Sequence, residues 1–385
     1  MVLLLALTCV TLMFGQPPSV ESAWNLAAKG ERKEAVRVLR ELLKNTPGNV
    51  DARLLLGSIL TEEKDSQGAI AQLTEAVRLR PRSAETHNAL GEAYLGSGDA
   101  KMARGEFDRT LAIDPGFAAA HVSLGQILLE AREFPAAAQH LDRAIQLLGT
   151  SADAADAHYL RAKINTAQNE MQQAAVHLTT AVKLRPDYAE AWSDLGQMRK
   201  GLNDSDGAVD AFKRAVEAAP GDAAAQYRLG AEYLHRKESH LAVLHLQKAL
   251  EINPDDQSAL YTLQTALRQD GQPDAARQVK EKLTELLRRR DEAAEKDLAA
   301  VQLNNQGVAL EKAGNLPAAL EKYREALTLS PSHIGFRINF AAALLHLGRF
   351  NEGVAELREA VRRDPGNTQA KAALDQALAK PGLRR

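Results

Sequence analysis

The sequence has almost no cysteine, and Cys9, its only one, lies near the N-terminus. The remainder of the chain therefore has no disulfide, no cysteine nucleophile and no cysteine metal site. Aromatic residues make up only 4% of the chain, which favours closely packed helices over a sheet-based core. An excess of one charge is also lacking, since 48 basic and 50 acidic residues leave a formal net charge of -2. This balance gives no reason to expect a nucleic-acid or anionic-membrane partner.

Long apolar runs are missing everywhere except at the N-terminus. Residues 2–14 are almost wholly apolar, and residues 1–20 contain no charged side chain. Such a run is too short to span a bilayer and resembles the core of a secretory signal peptide, although no basic residue precedes it and no A-x-A pattern follows. We expect residues 1–19 to be a signal-peptide-like leader. The mature chain, without a membrane span, would then be periplasmic or extracellular; without a genuine leader it would be cytoplasmic.

Eight prolines show the organisation of the chain. They follow one another at 34, 34, 71, 34, 34, 77 and 34 residues, at Pro47, Pro81, Pro115, Pro186, Pro220, Pro254, Pro331 and Pro365. The two long gaps are two periods of 34 plus 3 and plus 9 residues. The same phrase also recurs 105 residues apart, since residues 107–125 and 212–230 share nine of nineteen positions. The chain is therefore built from repeats of 34 residues.

Small residues recur at two positions of each repeat when the proline is placed at position 32. Position 8 is Gly or Ala, as in Gly57, Gly91 and Gly196, and position 20 is Ala in nearly every copy. Period and pattern together resemble the tetratricopeptide repeat (TPR) family, with about ten repeats that begin near residues 16, 50, 84, 118, 155, 189, 223, 257, 300 and 334. The resemblance implies an all-α fold, a right-handed α-α superhelix of stacked antiparallel helix pairs.

The two insertions divide this array. The 3-residue insertion near residues 149–153 is typical of a longer turn. The 9-residue insertion follows a repeat that has Arg288 in place of its proline, and no Gly or Pro occurs from Asp274 to Gln306. We expect repeats one to eight over 20–288, a charged helical connector over 289–299, repeats nine and ten over 300–367, and a capping helix and tail over 368–385. A continuous helix over 274–306 and a charged flexible linker are both compatible with the sequence.

Catalytic and metal-binding motifs are not evident. We find no G-x-S-x-G, H-E-x-x-H or Walker sequence. His87, His121 and His158 each occupy position 4 of a repeat, where Trp192 stands in another copy, and are interpreted as packing residues rather than ligands. The sequence therefore predicts a protein that is not an enzyme and has no cofactor and no metal.

The candidate binding surface is the concave groove that the TPR resemblance implies, lined by first helices. Its residues of interest combine Tyr with cationic and amide side chains, types that commonly anchor interfaces. They are Tyr159, Lys163, Gln197, Tyr227, Arg228, Tyr261 and Arg268. The three Tyr could instead pack between neighbouring first helices. The Lys and Asn positions with which some TPR proteins clamp chaperone tails are not occupied by those residues.

The sequence favours a non-catalytic scaffold or adaptor that holds an extended peptide or another protein in this groove, in the assembly of a bacterial cell-envelope complex. Two alternatives stay open. One is a structural scaffold that associates with itself through its ends or near Asp291, and the other is a regulatory subunit of a separate enzyme. Groove residues vary within one fold, so the partner cannot be named from them.

Overall fold

The computed structural model describes residues 18–379. Within this range the chain forms twenty α-helices and no strand. The predicted leader lies almost wholly outside the described residues, and so do Cys9 and residues 380–385.

The helices form two compact units, one ending at Pro254 and the other beginning at Asp255. The first unit contains α1 (Val20–Ala28), α2 (Arg32–Asn45), α3 (Val50–Glu62), α4 (Ser66–Leu79), α5 (Ala84–Gly96), α6 (Ala100–Ile113), α7 (Ala118–Glu130), α8 (Phe134–Leu148), α9 (Ala154–Ala167), α10 (Met171–Leu184), α11 (Ala189–Gly201), α12 (Ser205–Ala218), α13 (Ala223–His235) and α14 (Ser239–Ile252). The second contains α15 (Gln257–Gln269), α16 (Pro273–Lys312), α17 (Leu316–Leu329), α18 (Ile334–His346), α19 (Phe350–Arg363) and α20 (Thr368–Leu378).

Consecutive helices pack in pairs, and each pair is one repeat. The first pair is α1 with α2, and the tenth is α18 with α19, followed by α20. This arrangement confirms the predicted all-α solenoid of about ten repeats. One such pair cannot bury its apolar face alone, so each repeat depends on its neighbours for a core.

The turn between the two helices of every repeat places one residue in the left-handed region. Glycine fills this position in half of the repeats, for example Gly30 at φ 81°. Lys64, Arg132, Asn169, Asn203 and Lys237 fill it in the others, at φ between 60° and 63°. The following N–H reaches back to a carbonyl of the first helix, as from Glu31 to Leu26 at 2.9 Å. This left-handed closure ends the first helix and starts the antiparallel second one.

The small residues at positions 8 and 20 lie where the two helices of a repeat cross. A Cβ on Gly196 would lie 2.4 Å from the ring of Phe212, and one on Gly91 would lie 2.6 Å from that of Phe107. A Cβ on Gly353, at position 20, would lie 3.0 Å from the carbonyl oxygen of Ala341. The helices are therefore closer than a larger side chain at these positions would permit.

The 9-residue insertion extends a helix. The second helix of repeat eight continues without a break into the first helix of repeat nine, as the 40-residue helix α16. The segment 289–299 is accordingly helical, and its side chains are exposed except for partly buried Ala299. Of the two outcomes compatible with the sequence, the structure has the continuous helix.

Among the described residues, none of the helices is both long and apolar enough to cross a membrane.

Candidate interaction surface

The first helices of repeats five, six and seven, α9, α11 and α13, present one connected surface, which we call the first-helix face. Side chains on this face bond from one repeat to the next. The Tyr159 hydroxyl donates to Asp194 Oδ2 at 3.2 Å, and Arg228 Nη1 donates to Ser193 Oγ. Each pair is 35 residues apart, one more than the repeat period. Positions 5 and 6 of adjacent repeats are thus held together by polar contacts.

Tyr159 lies at the centre of an aromatic and cationic group. Its ring packs against Tyr188 with a centroid separation of 5.0 Å, and Lys163 Nζ lies 5.5 Å from the Tyr159 centroid. Burial raises the pKa of the Tyr159 hydroxyl, and the neighbouring Asp194 carboxylate raises it further. The hydroxyl therefore stays a hydrogen-bond donor at neutral pH.

Asp194 is a half-buried carboxyl group on the same face. Burial raises the pKa of Asp194 above its ordinary value, whereas the Tyr159 hydrogen bond and the charges of Arg228 and Lys163 lower it. A carboxylate in such surroundings is held by its partners and by the cations around it. This group combines the hydrogen-bonded acid Asp194 with the half-buried cation Arg228 and the exposed cation Lys163.

An ion pair between Arg185 and Asp156 supports the edge of this group. Arg185 donates to both oxygens of Asp156, at 2.9 and 2.7 Å. The guanidinium of Arg185 also lies 4.7 Å from the ring centroid of Tyr188. This bidentate pair orients Tyr188, which in turn packs on Tyr159.

The predicted groove residues fall into two sets. Tyr159, Lys163, Gln197, Tyr227 and Arg228 lie on the first-helix face, where Lys163 and Gln197 are exposed and the other three are half-buried. Tyr261 and Arg268 lie on α15 in the second compact unit. Tyr261 is 66% exposed, and Arg268 is exposed. The Tyr159 side chain has both roles. Its ring packs on Tyr188, and its hydroxyl donates to Asp194.

Sequence reasoning missed Ser193, Asp194 and Tyr188. Ser193 and Asp194 occupy positions 5 and 6 of repeat six, which the family pattern already includes among the groove positions. Their repeat positions therefore indicate a place in the groove, but a choice limited to Tyr and Arg omits Asp194, the acid that these residues surround. Tyr188 precedes α11, outside those positions, and gave no such signal.

The polar residues at position 4 act within the solenoid wall. In five repeats, the position-4 side chain bonds the carbonyl oxygen of the proline six residues before it, as in Arg53 with Pro47, His87 with Pro81, His121 with Pro115, Trp192 with Pro186 and Arg337 with Pro331. Most also contact a residue 19 positions later, on the second helix. These contacts join each proline turn to both helices of the following repeat.

Two contacts from position 4 to the second helix are histidine pairs, and only the first of them also bonds a proline carbonyl. Nδ1 of His121 lies 3.0 Å from Nδ1 of His140, and Nδ1 of His158 lies 3.0 Å from Nδ1 of His177. The Pro115 carbonyl can only accept, so His121 Nε2 carries a hydrogen and donates it to that carbonyl. Burial, followed by the His158 and Arg161 charges, lowers the pKa of His177 from 6.5 to about 4. Burial also lowers the pKa values of His140 and His158, so these two and His177 are neutral structural residues near pH 7.

A separate cavity of about 760 Å³ lies between α10, α11 and α12. Its lining includes Val182, Pro186, Trp192 and Leu195, with Lys183 and Arg214 as cations. The Trp192 indole N–H donates to the Pro186 carbonyl at 2.8 Å, which is one of the five contacts from position 4 to a proline carbonyl. Trp192 therefore packs within the repeat and also forms part of a surface cleft.

Among residues 18–379, no group of three or more His, Cys, Asp or Glu side chains is placed to hold a metal ion. The absence of a cofactor and of catalysis stays a prediction.

Comparison with known proteins identifies the repeats. Tetratricopeptide repeat models match residues 20–84, 88–152 and 261–334, residues 165–233 and 310–377, and residues 223–256. The TPR repeat-containing thioredoxin TTL4 and the inactive TPR repeat-containing thioredoxin TTL3, both of Arabidopsis thaliana, are 41% and 39% identical over 69 residues. That stretch is 18% of this chain and 10% of each relative. The chain therefore spans only a tenth of the length of these relatives.

A solved structure agrees on the fold. Pseudomonas aeruginosa pilF has 17% sequence identity and a TM-score of 0.50, over 55% of this chain and 94% of that one. YrrB, described as a TPR protein with an unusual peptide-binding site, has 22% identity and a TM-score of 0.42, over 49% of this chain and 96% of that one. Repeat period, helix pairing and the family models, which together extend over most of the chain, lead to one conclusion: the chain belongs to the tetratricopeptide repeat family.

Proposed function

We propose that this protein is a non-catalytic scaffold that binds an extended peptide, or an extended segment of another protein, on the first-helix face of repeats five to seven. The supporting observation is the group around Asp194. Here Tyr159 and Arg228 connect successive repeats, and Lys163 and Gln197 are exposed beside them. The surface offers hydrogen-bond donors and an acceptor at repeat spacing.

The spacing of these groups suits an extended ligand. Equivalent positions recur once per repeat, so a chain that crosses α9, α11 and α13 meets Lys163, then Gln197, then the region of Tyr227. Aromatic and cationic side chains supply contact area and charge-assisted hydrogen bonds to peptide carbonyl and carboxylate groups. Because the network holds Tyr159 and Arg228 in place, little side-chain entropy is lost there on binding.

A site-specific photocrosslinker tests this proposal. The full chain carries a benzoylphenylalanine either at position 197, in place of exposed Gln197, or at position 176, in place of exposed Val176 on α10. After irradiation in the expressing cells, we expect a covalent partner from position 197 and none from position 176. The same partner should be lost from position 197 when Lys163→Ala and Tyr227→Ala are added.

Two results would contradict the proposal. Equal trapping from both positions would mean that the first-helix face is not selective. Trapping that survives Lys163→Ala and Tyr227→Ala but is lost in Trp192→Ala would assign binding to the cavity beside Trp192 instead. Circular dichroism of each variant separates a lost partner from a lost fold.

We also propose that the protein is exported and works in a cell-envelope complex, as the leader pattern of residues 1–19 favours. Fractionation of cells that express the full chain, beside a variant without residues 2–19, tests this location. Export of the first and retention of the second is the expected result. Identical distribution of the two would exclude an exporting role for the leader.

A further inference from the structure

The middle of helix α16, over residues 287–298, is exposed. The first part of the helix packs in repeat eight, with Ala276 buried, and the last part packs in repeat nine, with Ala300, Asn304 and Gly307 buried. Between them, every residue from 287 to 298 is exposed. Because one helix serves both repeats, no turn folds repeat nine back onto repeat eight, and the faces that stacked repeats normally cover stay open.

This open segment carries an apolar stripe. Leu287, Leu298 and Val301 are 40%, 60% and 40% exposed, and Ala294 between them is also exposed. The four positions follow one another at 7, 4 and 3 residues, so they lie within about 60° of each other around the helix. Spacings of 7, 4 and 3 are those of the buried seam in a two-helix coiled coil.

The charges beside the stripe change sign along the helix. Arg288, Arg289 and Arg290 lie beside the N-terminal half of the stripe, and Glu295 and Asp297 lie beside its C-terminal half. Two such helices laid parallel and in register would pair only Arg290 of each copy with Glu295 of the other. Laid antiparallel, each basic half would face the acidic half of the other copy.

We propose that the occupant of this stripe is a second copy of the same chain, paired antiparallel through α16. In the register that aligns the stripes, Leu298 of one copy packs on Leu287 of the other, and Asp291 faces Ala294. Arg288 then faces Glu295, and Arg290 faces Asp297, across the two flanks. A twofold axis between the helices makes each of these contacts twice.

The charged side chains are available for this pairing. Arg288 now pairs with Glu285 at 2.8 Å and with Glu292 on the same helix. Arg290 donates to Gln257 Oε1 at 3.3 Å, and Asp297 accepts from Ser330 Oγ at 2.8 Å, and both of these hydrogen bonds are exposed. Exposed pairs of this kind stabilise little, so exchange for contacts between copies is not opposed strongly. The seam is short and has a carboxylate near its centre, and we therefore expect a reversible dimer whose population depends on concentration.

Sedimentation equilibrium of the full chain over a wide concentration range is the first test. We expect a monomer–dimer equilibrium, and a dissociation constant at least tenfold higher for Leu298→Lys. Leu244→Lys is the matched control, because Leu244 is an exposed leucine on α14, 44% exposed, in the other compact unit. A parent chain that is monomeric throughout, or a dimer that both variants leave unchanged, overturns the proposal.

A charge exchange tests the register. Arg288→Glu alone and Glu295→Arg alone each place like charges opposite each other in the antiparallel pair, and each should weaken the dimer at least tenfold. The double variant restores opposite charges and should return the dissociation constant to near the parent value. Failure of the double variant to recover, at equal helicity by circular dichroism, would exclude this register.

Disulfide trapping tests the direction. In a Cys9→Ser background, Leu287→Cys with Leu298→Cys should give an oxidised covalent dimer, since the two positions face each other across the axis. Leu287→Cys alone should not, because antiparallel helices hold the two copies of residue 287 about 16 Å apart along the axis, beyond disulfide reach. Efficient crosslinking by the single variant would show a parallel pair and overturn the antiparallel assignment.

Discussion

At position 8 of six repeats a glycine faces a large side chain at position 24, and the missing Cβ determines how close the two helices come. Gly57 meets Leu73, Gly125 meets Leu141, and Gly307 meets Tyr323 in the same way. The sequence pattern predicted the close crossing, but the identity of the facing atom came from the packing. Side chains that touch across a repeat are far apart in sequence, and only the crossing angle brings them together.

Gly196→Ala should destabilise the protein by about 1–3 kcal/mol, because the new Cβ would lie 2.4 Å from the Phe212 ring and the helices must separate. Urea unfolding followed by circular dichroism measures this change. Gly105→Ala is the control, since no atom lies within 4 Å of its added Cβ. That helical position should gain up to about 1 kcal/mol. Equal effects of the two substitutions would contradict the packing argument.

The histidine pairs make stability depend on pH. Burial chiefly lowers the pKa of His177 from 6.5 to about 4, and it also lowers those of His140 and His158. The unfolded chain therefore binds protons at a higher pH than the folded one, so the stability present above about pH 6.5 should fall as the pH drops towards 4.

Thermal unfolding of the parent between pH 7 and pH 5 checks this dependence. In His177→Gln the decrease should be smaller, because an amide can accept from or donate to His158 without titrating. An identical pH dependence of the two proteins would mean that the His158–His177 pair does not contribute to it.

At the scale of elements, α16 differs most from a regular repeat. Its middle is exposed and depends on the helical backbone, on ion pairs such as Arg289 with Glu285 at 2.7 Å, and on the exposed hydrogen bonds of Arg290 to Gln257 and of Ser330 to Asp297. The composition, without Gly or Pro, left the choice between helix and linker open. Packing at both ends favours the continuous helix, because repeats eight and nine each hold one part of it in place.

Ala293→Pro should interrupt α16 between its two packed parts. Proline removes one backbone hydrogen bond and clashes with the preceding turn, which destabilises a helix interior by about 3 kcal/mol or more. Ala293→Gly should have a smaller effect of about 1 kcal/mol. Helicity at 222 nm and urea unfolding compare the two variants. Unchanged helicity and stability in Ala293→Pro would show that residues 287–298 are not helical in solution.

At the scale of the whole molecule, stability is distributed along the chain rather than concentrated in one core. Buried clusters recur from repeat to repeat, and the last one joins Ile338, Leu357 and Ala370. Helix α20 covers this final cluster with Ala370 and Ala377, which are buried. A terminal element of this kind closes an array whose every repeat otherwise presents an apolar face.

Removal of residues 368–385 should therefore lower the thermal unfolding temperature and increase binding of a dye that reports exposed apolar surface. Each large side chain that returns fully to water loses about 1.5–3 kcal/mol. Removal of residues 380–385 alone is the control, because α20 ends at Leu378. Equal melting temperatures for the two truncations would mean that α20 does not stabilise repeat ten.

The sequence by itself determined the helical class, the repeat period and the turns. These follow from local chemistry, namely prolines at one spacing and small residues at crossing points, each of which acts on neighbouring residues. It also located five candidate residues that share the first-helix face. Only the tertiary structure decided that Asp194 lies among them, that His121 and His158 pair with second-helix histidines, and that α16 runs unbroken with an open stripe. Those outcomes depend on contacts between residues 19 or 35 positions apart and on which faces the neighbouring repeats leave uncovered, which packing determines and local pattern does not.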